Sequence, residues 1–186
     1  MNMFMMILLG IVLSVLAYVG ISHFASFKAQ KPSDYADQMP LFDIREVLNG
    51  QMITEGMIYG PTGRVSSRFV ATMNAEWDGQ SGTMTEHFVY SSGREQDRAW
   101  SFTMTGEDGK FTATAPDIIG VAEGQQMGAS VRLTYRIQLP DDAGGHVLDV
   151  VDWMYLLDNG SVMNRSEFRK FGIKVAELVA TFRPTN

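Results

Sequence analysis

The stretch VSSRFVATMNAEW, residues 65–77, decides the fold class, because apolar and polar side chains alternate along it. One face is mostly apolar and holds Val65, Ser67, Phe69, Ala71, Met73, Ala75 and Trp77. The other face is polar and holds Ser66, Arg68, Thr72, Asn74 and Glu76. A period of two is typical of a β-strand with one buried and one solvated face. A second stretch repeats the pattern, with Val131, Leu133, Tyr135, Ile137 and Leu139 on its apolar face.

Turn signals recur at strand-length intervals along the rest of the chain. They are Gly60–Gly63, Asp78–Gly82, Ser91–Gly93, Gly106–Gly109, Asp141–Gly145 and Asn159-Gly160. Such spacing predicts hairpins between short strands. About ten strands in a meander, each with one buried face, favour an all-β, antiparallel up-and-down barrel, because closure leaves no exposed edge. A sandwich of two sheets remains the alternative, since alternation alone does not distinguish the two architectures.

Two shorter stretches add detail to this barrel. Residues 43–48 predict a short helix that is capped by Asp43, ends at Asn49-Gly50 and plugs one end of the barrel. Residues 117–124 contain Gly120 and Gly124 but lack the strand-turn-helix context of a phosphate-binding loop. We interpret them as a bent or bulged strand.

The composition excludes several classes of function. A net charge of -6 and scattered basic residues leave no cationic surface for nucleic acid. The absence of cysteine excludes disulfides, thiol nucleophiles and thiolate metal sites. The histidines His23, His87 and His146 lie far apart and show no metal-ligand spacing. The sequence therefore predicts no metal site and no cofactor.

The N-terminus predicts a membrane segment. From Met3 to Phe27 the chain contains no charged residue, and a helix of that length exceeds a bilayer core of about 30 Å. We expect an uncleaved anchor over residues 1–28, a polar tether over 29–40 and the barrel domain over 41–186. A cleaved signal peptide is the competing interpretation, although the basic n-region that it requires is missing. Lys28 and Lys31 weakly favour a cytoplasmic barrel.

One predicted hairpin brings two charged residues together on an apolar face. With a loop at Ser91–Gly93, Glu86 lies opposite Arg98, on the face that also carries Tyr90 and Trp100. A buried charge is costly unless it is paired, so a Glu86–Arg98 ion pair is the simplest expectation. The alternative is a ligand site in which Arg98 binds a carboxylate or phosphate group.

A second candidate cluster surrounds Asn159-Gly160, a strong two-residue hairpin signal. This turn sets Tyr155 opposite Asn164 and Met154 opposite Arg165. Trp153, Tyr155 and Asn164 would then share the inner face, where Asn164 could bind the tyrosine hydroxyl. Asp152, Met154, Arg165 and Glu167 would form the outer face.

Several short motifs occur together in a characteristic order. They are Asn49-Gly50, Trp77-Asp78-Gly79, Glu86-His87-Phe88-Val89-Tyr90, Arg98-Ala99-Trp100, Asp152-Trp153-Met154-Tyr155, Asn164-Arg165 and Lys170-Phe171-Gly172. Over about residues 41–183 the chain resembles a bacterial family of envelope lipoproteins with a lipocalin-like fold, catalogued as domain of unknown function 3833. The resemblance implies a periplasmic domain and no known reaction. Because the family's lipobox cysteine is missing, the apolar helix would replace the lipid anchor, which favours the inner membrane.

The leading hypothesis is a membrane-anchored periplasmic binding protein. Its barrel would hold a lipid, a fatty-acyl compound or another apolar ligand with an acidic head group. The candidate ligand-binding residues are Glu86, Arg98, Trp100, Tyr90, Tyr155 and Asn164. One alternative is an enzyme acting on a lipid-like substrate with Glu86 as acid or base. The other is a structural or assembly factor of the envelope, whose barrel would be filled by its own side chains.

Overall fold

The computed structural model describes residues 2–24, 26–106 and 108–185, which form an apolar helix followed by a β-barrel. The helices are α1 (Met3–Phe24) and α2 (Ile44–Val47), with short 3-10 helices at Phe27–Ala29, Pro32–Tyr35 and Asp141–Ala143. The strands are β1 (Gly50–Tyr59), β2 (Val65–Asp78), β3 (Ser81–Tyr90), β4 (Glu95–Met104), β5 (Lys110–Thr114), β6 (Ala122–Met127), β7 (Ser130–Gln138), β8 (Val147–Leu156), β9 (Val162–Lys170) and β10 (Ile173–Pro184). The expected turn at Gly106–Gly109 includes Glu107, which lies outside the described residues.

The sheet is a closed, lipocalin-like barrel in which each strand pairs antiparallel with the next. The ladder between β1 and β10, from Met52↔Pro184 to Tyr59↔Glu177, joins the two ends of the sheet. This ladder excludes the sandwich and confirms the predicted up-and-down barrel of ten strands. The alternation in β2 is confirmed too, since Phe69 and Met73 are buried inside the barrel.

Helix α2 closes one end of the barrel, as predicted. The Asp43 side chain caps the helix by accepting a hydrogen bond from the Arg45 backbone N–H at 2.9 Å. Ile44 and Leu48 are buried in the main core cluster. The indole Nε1 of Trp77 donates to the Leu48 carbonyl at 2.8 Å and fixes the end of the helix to β2. The opposite, unplugged end, where β3, β7 and β9 finish, carries no α-helix within the described residues, and Ala143 of the 3-10 helix between β7 and β8 lines the cavity there.

The predicted bent strand at residues 117–124 is wrong in its first half. Residues 116–121 form a loop that joins β7 at one bridge, Ile118↔Ile137, with two backbone hydrogen bonds, and β6 begins only at Ala122. A turn hydrogen bond from Ile118 N to the Ala115 carbonyl reverses the chain there. Because β5 is short, its ladder reaches only Ser101–Met104 of β4, and the loop covers the gap that remains in the wall.

The predicted register of the β8–β9 hairpin is also wrong, by one residue. Met154 pairs with Asn164, and Trp153 pairs with Arg165. The connection is a three-residue loop closed by the Leu157 N–H and the Ser161 carbonyl, with Gly160 at φ 78°. This loop combines a type I turn with a left-handed glycine, whereas the prediction assumed a two-residue turn. Because of the shift, the β8 side chains that were predicted to face outwards face the interior, and those predicted to face the interior lie outside.

The N-terminal region has two different parts. Within the described residues, α1 is the helix with the length and composition to cross a membrane, since Met3–Ile21 has a mean hydropathy of 2.6 and none of it is buried. A membrane anchor and a signal sequence share these properties. The segment that follows, residues 27–36, packs on the outside of the barrel. The Tyr35 ring stacks edge-on against Trp153 and Tyr155 at centroid distances of 5.3 and 5.4 Å.

We expect Gly128→Ala to destabilise the protein more than Gly160→Ala, because only the first substitution disturbs this outer segment. Both glycines have positive φ, at 54° and 78°, so alanine costs about 1 kcal/mol of backbone strain at either site. A Cβ at Gly128 would also collide with the Tyr35 carbonyl, whereas a Cβ at Gly160 meets open space. Thermal unfolding of the detergent-solubilised chain measures both effects. Equal losses would contradict close packing of the segment.

Candidate ligand-binding site

The barrel encloses a cavity of about 370 Å³. Its wall is mostly apolar and includes Phe69, Phe88, Trp100, Phe102, Leu133, Ile137, Leu148, Met154, Phe168 and Leu178. The volume falls within the range of pockets that hold small molecules. A more open groove of about 1230 Å³ runs along β1–β4 to the covered gap beside β4, where Glu86, Arg98 and Asp117 also line it. We take the enclosed cavity as the candidate site because it is better shielded from water.

Glu86 and Arg98 face each other across β3 and β4 inside this cavity, which confirms their predicted register. Arg98 Nη1 lies 3.5 Å from Glu86 Oε2, and the two side chains are only 14% and 8% exposed. Trp100 Nε1 donates to the same carboxylate oxygen at 3.1 Å. The guanidinium also lies over the Trp100 ring, 4.8 Å from its centroid. The predicted pair is therefore part of a three-residue cluster.

Asp117 is the main partner of Arg98, a contact that the sequence pattern does not predict. Arg98 Nε and Nη2 donate to its two carboxylate oxygens at 2.7 and 3.1 Å, a bidentate arrangement. The carboxylate comes from the loop that covers the gap in the wall. Because this loop is neither a strand nor a hairpin turn, no local sequence pattern relates Asp117 to Arg98.

Asp152 is a second buried carboxylate inside the barrel, whereas the register predicted from the Asn159-Gly160 turn places it outside. Tyr135 donates its hydroxyl hydrogen to Asp152 Oδ2 at 2.9 Å. Asp152 Oδ1 is buried and has no hydrogen-bond partner among the described residues. The correct register could have been predicted from the other hairpins. The loops at Pro61–Gly63 and Ser91–Gly93 have three residues and end in glycine, as the β8–β9 loop does.

The other predicted site residues divide between the two sides of the wall. Asn164 lies inside, where its amide donates to the Trp153 carbonyl at 3.1 Å and its carbonyl accepts from Ser166 at 3.2 Å. Tyr155 lies outside and donates to Gln30 Oε1 at 2.8 Å, so its predicted place beside Asn164 is wrong. Trp153 is likewise outside, beneath Tyr35. The one-residue shift of the hairpin explains both differences.

Tyr90 lies inside, towards the unplugged end of the cavity. Its hydroxyl donates to Gln96 Oε1 at 3.2 Å, and the Arg94 guanidinium lies 5.2 Å from its ring centroid. Arg94 Nε also pairs with Asp142 Oδ2 at 2.7 Å, which connects the β3–β4 loop to the β7–β8 loop. This ion pair forms part of the rim of the open end.

Burial controls the protonation of the inner carboxyl groups. It raises the pKa of Glu86, although the charge of Arg98 and the hydrogen bond from Trp100 act in the opposite direction. Burial likewise raises the pKa of Asp152, against the interactions with the Ser166 and Tyr135 hydroxyl groups and the charge of Arg98. For Arg98, burial opposes the charged form, but the Glu86 carboxylate and its other neighbours keep its pKa above the ordinary value. The site therefore combines a permanent cation with two carboxyl groups, Glu86 and Asp152, whose pKa values burial raises.

We expect Glu86→Gln to gain stability relative to the native protein as the pH rises above 4.5, the ordinary pKa of a glutamate. In that range the unfolded chain releases the Glu86 proton before the folded chain does, so ionisation weakens folding of the native protein only. Glu55→Gln should behave oppositely, because a hydrogen bond from Arg183 lowers the pKa of Glu55. Urea unfolding across the pH range measures both variants. A pH-independent difference for Glu86→Gln would contradict the raised pKa.

Solved structures with the same fold include three of low sequence identity. The S-type phycobiliprotein lyase CPES from Guillardia theta has 9% identity and a TM-score of 0.59, covering 84% of this chain and 98% of its own. Rv2717c from M. tuberculosis has 14% identity and a TM-score of 0.56, with 81% and 100% covered. A protein of unknown function from the DUF3598 family of Nostoc punctiforme has 11% identity and a TM-score of 0.55, with 80% and 51% covered. These likenesses show the barrel fold, and a barrel with this cavity can hold a small ligand.

The family comparison covers nearly the whole chain. No curated protein matches the sequence. The family model described as "Protein of unknown function (DUF3833)" matches residues 21–184, which include the barrel and every residue of the inner site. This is the family that the ordered motifs indicated. The chain belongs to the DUF3833 family.

Proposed function

We propose that this protein binds a lipid or another apolar small molecule in its barrel, with the acidic head group of the ligand at Arg98. The observation that carries the proposal is a buried guanidinium in the wall of a mostly apolar cavity inside the barrel. Apolar pockets usually orient their ligands through a few polar groups. The existence of the cavity argues against an assembly factor with a filled barrel.

The contact with Asp117 supports an acidic head group. Its carboxylate binds the guanidinium in the bidentate geometry that a ligand carboxylate or phosphate would adopt. The backbone of Asp117 is hydrogen-bonded to Gln138 of β7, so the exchange requires only that the Asp117 side chain rotates away from Arg98. Burial raises the pKa of Glu86, so this carboxyl group takes up a proton more readily than an exposed glutamate when a second anion approaches. The ligand would therefore exchange with Asp117 at Arg98.

An additional contact is available deeper in the cavity. Asp152 Oδ1 is a buried acceptor without a partner among the described residues, and buried polar atoms in native proteins are usually satisfied. A hydroxyl group on the ligand can hydrogen-bond to this oxygen in either protonation state of Asp152, because a hydroxyl both donates and accepts. This arrangement favours an amphiphile with an acid group near one end and a hydroxyl group further along.

A second candidate function is catalysis on such a molecule by Glu86. The observation in its favour is the raised pKa of this carboxyl group, which is typical of a general acid or base. Catalysis requires a substrate proton within reach of Glu86, whose Oε2 already accepts from Trp100. Chemical change of a bound ligand over time would distinguish an enzyme from a binding protein.

We also propose that α1 remains on the mature chain and anchors it in the inner membrane, with the barrel in the periplasm. The uncharged helix and the absence of a cysteine for lipid attachment support the anchor. The resemblance to envelope lipoproteins supports the periplasmic side. An anchored barrel lies close to the bilayer from which an apolar ligand would come.

We expect Asp117→Asn to bind dodecanoic acid about tenfold more tightly than the native protein, because the variant removes a competing carboxylate from Arg98. Arg98→Met should lose the preference for dodecanoic acid over dodecanol. Asp142→Asn is the matched control, since it breaks the Arg94 ion pair at the rim and leaves Arg98 unchanged. Isothermal titration calorimetry measures the affinities. Tighter binding of dodecylamine than of the acid, or weaker acid binding by Asp117→Asn, would sink the acidic-head proposal.

We expect the native chain to stay in the membrane pellet after alkaline carbonate extraction and to retain its N-terminus. Removing residues 1–24 should release the protein while keeping Phe27 and Tyr35 on the barrel. An enzyme reporter fused after Asn186 should be active in the periplasm. Extraction, N-terminal sequencing and reporter activity test these points together. A mature chain that begins near Ala25 or Lys28, or a reporter active only in the cytoplasm, would contradict the proposed anchoring.

A further inference from the structure

The turn between β9 and β10 has an unusual residue for its backbone conformation. Lys170 and Ile173 form the closing pair of the hairpin, and Phe171 and Gly172 between them have φ of 51° and 78°. Two-residue turns of this kind strongly prefer asparagine or glycine at the first position. Phe171 is the one non-glycine residue with positive φ in the part of the chain that the structure describes.

In two other hairpins of this barrel the first residue of the turn also has a positive φ, and there it is glycine. The two-residue turns after Asp78 and Met127 begin with Gly79 and Gly128, at φ 58° and 54°. A bulky residue in the left-handed region is a genuine outlier. Such outliers occur where function rather than folding selects the residue. Phe171 therefore requires an explanation outside the stability of the turn.

Packing within the chain does not explain this phenylalanine either. Phe171 is 91% exposed, and Ile173 beside it is 69% exposed. Both large apolar side chains project from the end of the barrel into the surroundings. Their hydration is unfavourable, and neither is compensated by burial in the folded chain. The unfavourable hydration of both side chains is removed if the hairpin tip, residues 170–174, lies in an apolar medium.

The charges at the hairpin tip are basic, in a protein whose net charge is -6. Lys170 and Lys174 flank the two apolar residues. Lys170 Nζ lies 3.0 Å from His146 Nδ1 and 5.9 Å from the Phe171 ring centroid, and no carboxylate pairs with it among the described residues. Lys174 is paired with Glu177 at 2.7 Å. Apolar side chains next to lysines match the boundary between acyl chains and anionic head groups.

We propose that the hairpin tip inserts Phe171 and Ile173 into the surface of a bilayer that contains anionic lipids. A protein partner fits less well, because a stable protein interface buries about 800 Å² on each side and two side chains offer far less. The tip lies at the unplugged end of the barrel. Its insertion would turn the opening of the cavity towards the lipid, independently of which ligand the cavity holds.

The absence of cysteine makes a direct test simple. A single Ile173→Cys substitution carries an environment-sensitive nitrobenzoxadiazole dye, and Phe171 remains in place. The full chain is reconstituted in vesicles of phosphatidylcholine with phosphatidylglycerol. Asn159→Cys provides the matched control, since it labels an exposed hairpin at the plugged end. We expect the dye at position 173 to brighten several-fold and to be quenched by spin-labelled lipid, with little change at position 159.

The variant Phe171→Asn distinguishes a role of Phe171 in membrane contact from a role in folding. It creates the preferred Asn-Gly turn, so the melting temperature should rise while the response of the dye at position 173 falls. A lower melting temperature would mean that Phe171 serves the fold, and would overturn the proposal. The proposal also fails if the dye stays in water, if both labels respond equally, or if the chain does not associate with the vesicles. A response in native membranes but not in pure lipid would identify a protein partner instead.

Discussion

Closure of the sheet by the β1–β10 ladder is the constraint on which the rest of the structure depends. Once the sheet is closed, each residue of a strand faces either a dry interior or the outside, and a shift of one residue exchanges the two. Helix α2 seals one end by placing Ile44 and Leu48 in the core. The interior is therefore a separate compartment, and any charge inside it has to find partners there.

The arginine inside this compartment determines the chemistry of the cavity. A buried ion costs several kcal/mol unless it is paired and hydrogen bonded. Arg98 meets that requirement with Glu86 from the neighbouring strand and Asp117 from the loop over the wall gap. A purely structural cavity needs no such group, since apolar side chains would fill it at lower cost. The retained charge and the unfilled volume together indicate recognition of a ligand.

The sequence predicted the parts of this site that depend on short-range geometry. Alternation and a correct three-residue loop placed Glu86 opposite Arg98. The same reasoning failed for Tyr155 and Asp152, because one assumed turn length moved a whole strand by one residue. Asp117 was beyond reach for another reason: its loop has no periodic pattern, and its place depends on how the barrel closes. Whether the six candidate residues contact a ligand stays a prediction.

The tryptophans occupy three separate environments in this barrel. Trp77 holds the plug helix, Trp100 lies in the cavity against Arg98, and Trp153 lies under Tyr35 on the outer wall. Each indole thus has a different neighbour that would quench or shift its ultraviolet emission. The chain carries built-in optical reporters for the plug, the cavity and the N-terminal segment, and replacing any two of them by phenylalanine isolates the signal of the third.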